Sequence, residues 1–169
     1  MPSRLRCAQE HNLLTRYFML SRYAARNIRV STVLSLAKMV ESRDQNTGGH
    51  LERIREYTKA MAHALADQPL YRDLLTTEYI QDLELSSMLH DIGKVGIPDE
   101  ILFKPARLTR AEYATIKQHT VLGENVLSQV EAMLEGRSFL RMSREIALSH
   151  HERWDGKGYP HGLHSQAIP

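Results

Sequence analysis

The sequence has few of the features that indicate a disulfide-bonded, membrane-spanning or DNA-binding chain. It contains one cysteine in 169 residues, Cys7, which excludes an internal disulfide framework and a thiolate metal cage and suits a reducing cytoplasm. No apolar run approaches the roughly 20 residues that a membrane-spanning helix needs. The net charge is only +2, too small to indicate a nucleic-acid surface. We therefore expect a cytoplasmic chain without a membrane span and without DNA as a partner.

Apolar residues recur at helical spacing along most of the chain, and no stretch shows the alternation typical of strands. The predicted helices cover residues 13–40 (one helix or two in series), 50–66, 76–89, 109–119, 121–130 and 138–149. Thr76 and Thr77 are candidate N-caps, and Thr109 with Glu112 matches a capping box. The predicted fold class is all-α.

The first amphipathic helix has two interpretations. It either packs against a second copy of the chain, which would give a homodimer through the N-terminal helix, or forms the first helix of the domain's own core. We predict that residues 1–30 form an N-terminal helical extension or linker and that residues 31–169 form the domain.

Histidine is the most informative residue type, with nine in the chain. Five of them stand at predicted helix ends, and one of the five is followed directly by Asp91. The five are His50, His90, His119, His150 and His151. Imidazoles with a carboxylate suit Fe, Mn, Zn or similar divalent ions, and two such ions about 3.5–4 Å apart would activate water and hold a phosphate. The alternative is a set of ordinary solvated histidines.

Three other side chains near these histidines are candidates for substrate contacts. Lys94 follows Asp91 by three residues, so a continuing helix would place its ammonium beside the carboxylate, where it could neutralise charge on a phosphoryl oxygen. Trp154 and Tyr159 either stack on a nucleobase or pack their loop onto the domain.

Separated motifs in the chain resemble the HD-GYP family, a branch of the HD metal-dependent phosphohydrolases. HDIGKVGIP (90–98) and HHERWDGKGYP (150–160) carry the signatures from which the family takes its name. SRDQNTGGH (42–50) resembles its first motif, and DEILFKPARLTRAEYATIKQHTVLGENVL (99–127) resembles its middle segment. The resemblance runs from about residue 33 to residue 169, with the motifs in the family's order and spacing.

The resemblance implies an all-helical HD-domain bundle that hydrolyses the bacterial second messenger cyclic di-GMP to linear pGpG and, in many members, GMP. It implies catalytic roles for Asp91 and Lys94, and substrate contacts for Lys94 and Tyr159. Two divalent ions, iron or manganese, would be bridged by Asp91. The implied metal ligands are His50, His90, Asp91, His119, His150 and His151. Asn46 occupies the position at which some relatives carry a Glu for a third ion, so two ions are expected here.

Family domains continue past Ile168-Pro169 with helices that supply a further ligating Asp and a basic substrate-binding segment. The resemblance therefore predicts a C-terminally incomplete HD-GYP domain that lacks the last helices of the family fold. It leaves open whether these 169 residues hydrolyse the substrate unaided. The alternatives are a non-catalytic HD-GYP signalling module, which binds cyclic di-GMP or a partner protein such as a diguanylate cyclase, and an HD-type phosphohydrolase for another nucleotide.

Overall fold

The computed structural model describes residues 2–43, 49–134 and 138–169, with side chains from residue 14 onwards in these ranges. Within them every regular element is helical, so the predicted all-α class is confirmed. The elements are α1 (Pro2–Glu41), α2 (His50–Ala66), α3 (Thr77–Ser87), α4 (Asp99–Leu102), α5 (Arg110–Lys117), α6 (His119–Glu131) and α7 (Leu140–Ser149), with 3₁₀ helices at Ile92–Gly96 and Ser165–Ala167.

The chain divides into two compact units, Met1–Val33 and Leu34–Pro169. The described residues of the first unit are helical throughout, since α1 is one continuous helix rather than two in series. Among its described side chains, those of Tyr17, Phe18 and Tyr23 are exposed, whereas that of Val33 is buried. None of the described helices is long and apolar enough to cross a membrane.

The core of the second unit forms where α3 packs against α2 and α7, and where α7 packs against α6. The apolar side chains that these helices bury are Leu51, Ala62, Ile80, Leu85, Leu127, Leu140 and Ala147. The apolar residues predicted to share one face of α2 are not part of this core. Tyr57 and Met61 are 64% and 65% exposed, respectively, so α2 buries a different and narrower face.

Several polar side chains inside this core are paired. The hydroxyl of Ser143 donates to that of Ser86 at 3.0 Å, and Ser86 donates to the carbonyl of Phe139 at 3.1 Å. The buried carboxylate of Glu84 lies 3.2 Å from the guanidinium of Arg55. Buried polar groups are tolerated when they are paired in this way, so these bonds fix α3 relative to α7 and α2.

Two helix starts predicted from the sequence are confirmed. The hydroxyl of Thr76 accepts a hydrogen bond from the backbone N–H of Tyr79 at the start of α3. At the start of α5 the capping box is complete, with the Glu112 N–H donating to the Thr109 hydroxyl at 3.3 Å and the Thr109 N–H donating to the Glu112 carboxylate at 2.7 Å. Each bond satisfies an N–H group that the helix itself leaves unpaired.

Thr109→Ala is expected to reduce the free energy of unfolding by about 1 kcal/mol, the usual effect of losing a side-chain cap. Urea unfolding followed by circular dichroism measures the change. The matched control is Thr115→Ala, because the Thr115 hydroxyl donates to the Ala111 carbonyl inside the same helix and caps nothing. Equal losses in the two variants would contradict the capping assignment.

Candidate metal centre

Four helix ends meet at one place in the second unit. α2 begins at His50 and α6 begins at His119. α3 ends at Ser87, and α7 ends at Ser149, directly before His150. The positions of these histidines at or beside helix ends agree with the sequence prediction. α3 ends earlier than predicted, and residues 88–91 form turns.

Glycine at position 93 allows two of these ends to come together. A Cβ atom at Gly93 would lie 1.9 Å from the carbonyl oxygen of His119 and 2.4 Å from the backbone nitrogen of Gly123. The 3₁₀ helix that follows Asp91 therefore touches the first turn of α6, backbone against backbone. Only glycine permits this approach, and the approach brings His119 to Asp91.

The structure brings most of the predicted ligands into one cluster. One potential ligand atom from each of Asp91, His119, His150 and His151 lies within 4.8 Å of the others. His90 borders the cluster, with its Nε2 atom 3.0 Å from Oδ2 of Asp91. His50 lies further out, and its ring centroid is 6.0 Å from that of His90.

Backbone carbonyls orient three of the imidazoles. Nδ1 of His119 lies 2.7 Å from the carbonyl oxygen of Ile116, and Nδ1 of His90 lies 2.9 Å from that of Ser87. Nδ1 of His150 lies 3.1 Å from two carbonyl oxygens of α7. Because a carbonyl oxygen only accepts, each Nδ1 carries the proton, and each Nε2 faces the cluster. Metal-binding histidines in proteins are commonly oriented in this way.

The atoms at the centre of the cluster are mainly electron-pair donors. The Nε2 atoms of His119 and His150 are 3.3 Å apart. Oδ1 of Asp91 lies 3.3 Å from the first and 3.7 Å from the second, is buried, and accepts no hydrogen bond from the residues that the structure describes. Lone pairs this close require a proton or a metal cation between them, so the donor set fits a divalent metal ion.

The pKa values in the cluster reflect the competition between burial and charge. Burial alone would raise the pKa of Asp91, but His150, His90 and Lys94 together lower it well below its usual range. Burial opposes protonation of His90 as well, yet the hydrogen bond to Asp91 and its charge raise the pKa of His90.

Two other imidazoles favour the neutral form. Burial lowers the pKa of His119. Burial and the neighbouring His150 and His119 lower the pKa of His151 to about 4. Neutral imidazoles are the form that binds metal ions.

Lys94 lies beside the carboxylate, as its spacing predicts. Its ammonium donates to Oδ2 of Asp91 at 2.9 Å. The intervening backbone is 3₁₀ rather than α-helical, and in a 3₁₀ helix residues three apart lie on the same side. The two oxygens of Asp91 are thus divided, with Oδ2 facing Lys94 and His90 while Oδ1 faces His119 and His150.

The loop 152–160 covers the cluster through Tyr159. Its ring stacks on the His151 imidazole, with centroids 4.5 Å apart and an interplanar angle of 20°, and burial raises the pKa of Tyr159 to about 12. Gly158 passes so close to residues 151–153 that a Cβ would lie 2.4 Å from the Arg153 nitrogen. Trp154 is 66% exposed, so it does not pack the loop onto the domain.

An open cavity of about 530 Å³ lies next to the tandem histidines. Its wall includes Tyr113 and Tyr159, whose rings meet edge to face at 6.4 Å, and the cationic side chains of Arg153 and Lys157. Lys117 lies nearby, with Nζ 5.4 Å from the centroid of the Tyr113 ring. The volume is within the range that ligand pockets commonly have, and the cationic groups of the wall would suit an anionic ligand.

The sequence analysis did not assign a role to Tyr113, Lys117 or Glu152. Tyr113 and Lys117 are four residues apart on α5, just before His119. This i, i+4 spacing could have indicated that the two side chains are neighbours on one face of the helix, close to a predicted ligand. The carboxylate of Glu152 accepts from the N–H groups of His161 and Leu163 at 2.7 and 2.9 Å. No spacing rule indicates the two hydrogen bonds to Glu152, since they depend on how the loop after His151 folds back.

Fold and site together define an all-α domain with histidines around a central aspartate. The sequence profile of the HD domain matches residues 35–169. The chain therefore belongs to the HD domain family, in the HD-GYP branch that its motifs predict.

Several curated proteins are similar to this chain. A cyclic di-GMP phosphodiesterase from Vibrio cholerae is 50% identical over 137 residues, which cover 81% of this chain and 28% of the relative. A cyclic di-GMP phosphodiesterase from Thermotoga maritima is 39% identical over 138 residues, covering 81% and 34%. A 3'3'-cGAMP-specific phosphodiesterase from Vibrio cholerae is 36% identical over 137 residues, covering 81% and 24%. The chain thus spans about a third or less of the relatives it matches.

Proposed function

We propose that the second unit is the catalytic domain of a metal-dependent phosphodiesterase that hydrolyses cyclic di-GMP to linear pGpG, with GMP as the alternative final product. One observation carries the proposal: Oδ1 of Asp91 is buried, accepts no hydrogen bond from the described residues, and lies 3.3 and 3.7 Å from the Nε2 atoms of His119 and His150, which are 3.3 Å apart. The names of the relatives supply the substrate, since two of the three described above are cyclic di-GMP phosphodiesterases.

The proposed centre holds two divalent ions, iron or manganese. In this assignment Asp91 bridges them, because its two oxygens face different groups of imidazoles. The proposed ligands are His50, His90, Asp91, His119, His150 and His151. When bound, such a pair of ions lowers the pKa of coordinated water and stabilises the charge of a phosphoryl transition state.

The chain's own residues prepare the site for an anionic diester. Lys94 holds a positive charge 2.9 Å from Asp91, in a position to stabilise negative charge that develops on a phosphoryl oxygen. The Tyr159 ring packs on His151 and fixes the orientation of that imidazole. The cavity beside it offers Tyr113 and Tyr159 as flat surfaces for a guanine base.

The test is hydrolysis of cyclic di-GMP by the purified chain with Mn²⁺ or Fe²⁺, followed by chromatography of pGpG and GMP. We expect metal-dependent turnover, and a fall of roughly 10²-fold in Lys94→Ala, because one lost electrostatic contact to the transition state has about this effect. Lys104→Ala is the matched control, since its ammonium pairs with Glu112 instead of Asp91. Substrate left intact by the metal-bound chain, both as it stands and when extended at its C-terminus by the further helices of a family domain, would overturn the proposal.

Two other functions stay open to the same assay. Because one relative is a cGAMP-specific phosphodiesterase, the substrates assayed should include 3'3'-cGAMP. Faster turnover of that dinucleotide than of cyclic di-GMP would change the assigned substrate. The second is a non-catalytic signalling module that binds cyclic di-GMP, or a partner such as a diguanylate cyclase, through the loop around Tyr159. Binding without turnover, lost in Tyr159→Ala, would support that module.

We also propose that the chain acts in the cytoplasm as a homodimer joined through α1. The exposed apolar side chains of Leu14, Tyr17 and Ile28 lie on one side of α1 by helical spacing and form a surface that a second copy of the helix could cover. Light scattering after size-exclusion chromatography is expected to give twice the chain mass. The double variant Tyr17→Asp/Ile28→Asp should give a single chain mass, and a monomeric wild type would contradict the dimer.

A further inference from the structure

A small cavity adjoins the cluster on the side of His50 and His90. Its volume is about 20 Å³, enough for one water molecule or one ion. Glu41, at the end of α1, contributes to its wall together with His50, His90, Asp91 and Lys94. The remaining wall is apolar and consists of Ala37, Val40, Leu51, Met88 and Ile92.

Glu41 has no role in the site described so far. Its Oε1 atom is buried and has no hydrogen-bond partner within residues 2–43, 49–134 and 138–169. A buried carboxylate oxygen without a partner is unfavourable, because it has lost its hydration and gained nothing in exchange.

The charges around the cavity are those of a cation site. Two carboxylates and two imidazoles face it, and the ammonium of Lys94 is hydrogen-bonded to Oδ2 of Asp91. His50, His90 and Asp91 supply three donors, and a fourth completes the tetrahedral set that closed protein sites for transition metal ions commonly have. A carboxylate is the oxygen donor that ions such as Mn²⁺ and Fe²⁺ accept alongside imidazole.

We infer that Glu41 is a carboxylate ligand of a divalent metal ion bound in this cavity, together with His50, His90 and Asp91. This inference rests on the proposed function, because it completes one of the two proposed metal positions. The ion neutralises the unpaired Oε1 atom. The assignment also couples the end of α1 to the metal centre, since Glu41 is the last residue of that helix.

Glu41→Gln is the informative variant. Glutamine keeps the shape and a carbonyl oxygen, so it could still accept a hydrogen bond from an imidazole, but it lacks the negative charge that a metal ligand supplies. Glu56→Gln is the matched control, because the Glu56 side chain is 62% exposed on α2. The experiment titrates the metal-free full chain with Mn²⁺ by calorimetry and records melting temperatures with and without Mn²⁺.

We expect wild type and Glu56→Gln to bind two ions. In Glu41→Gln one of the two sites should weaken at least about tenfold, and the melting temperature should rise less on addition of Mn²⁺. Without metal, Glu41→Gln should melt no lower than wild type, because it removes the charge from a side chain whose Oε1 atom is buried and unpaired. If Glu41→Gln binds two ions with unchanged affinities, the inference about Glu41 is overturned, while the proposed function stands. A wild type that binds no Mn²⁺ or other divalent transition metal would overturn the proposed function as well.

Discussion

Asp91→Asn is expected to abolish metal-dependent hydrolysis of cyclic di-GMP, with a fall of roughly 10³-fold or more. Asparagine keeps the size of the side chain but removes the charge that faces His119 and His150 on one oxygen and Lys94 and His90 on the other. A single electrostatic group near a transition state accounts for about 10²–10³ in rate, and Asp91 is assigned to both ions. Initial rates of pGpG formation measure the effect.

Asp73→Asn is the matched control, because Asp73 is exposed in the turn between α2 and α3. We expect it to retain wild-type turnover and metal content. Asp91→Asn should also bind less metal, which separates its effect from that of Lys94→Ala. If Asp91→Asn kept both its metal and its turnover, Asp91 could not be a bridging ligand.

Gly93→Ala is expected to destabilise the folded domain by at least about 3 kcal/mol, the upper part of the usual range for overpacking. The added Cβ would meet three backbone atoms, at 1.9, 2.4 and 2.9 Å, and backbone cannot rotate away as a side chain can. For a domain of this size the melting temperature should fall by roughly 6–12 °C. Thermal unfolding of the metal-free chain measures the shift, and metal binding should weaken because α6 carries His119.

The control for this variant is Gly96→Ala in the same 3₁₀ helix. There the Cβ would lie 2.9 Å from a terminal methyl carbon of Leu122, which can adopt another rotamer. We expect a change below about 1 kcal/mol. Similar losses in both variants would mean that the 3₁₀ helix, rather than the contact between Gly93 and α6, limits stability.

The sequence predicted features that depend on short-range chemistry. The capping box at Thr109 and the cap at Thr76 are local hydrogen bonds, and both are present. The all-α class followed from periodicity, and the proximity of Lys94 to Asp91 followed from a three-residue spacing. The predicted helix bounds also anticipated which histidines stand at or beside helix ends.

Features that depend on how distant segments meet could not be predicted in the same way. Residues on α2 such as Tyr57 and Met61 matched the helical period yet are exposed, because the period does not say which face another helix covers. The need for glycine at position 93 comes from a contact with α6. The burial of Glu41 Oε1 depends on the same long-range packing.

Metal content of the purified chain is the most direct test of the proposed centre. Elemental analysis after dialysis against metal-free buffer and reloading is expected to give about two divalent transition metal ions per chain. The double variant His119→Ala/His150→Ala should lose at least one of them, because it removes two of the three groups that converge on the cluster. A folded wild-type chain that retains no transition metal would contradict the assignment of this cluster as a metal centre.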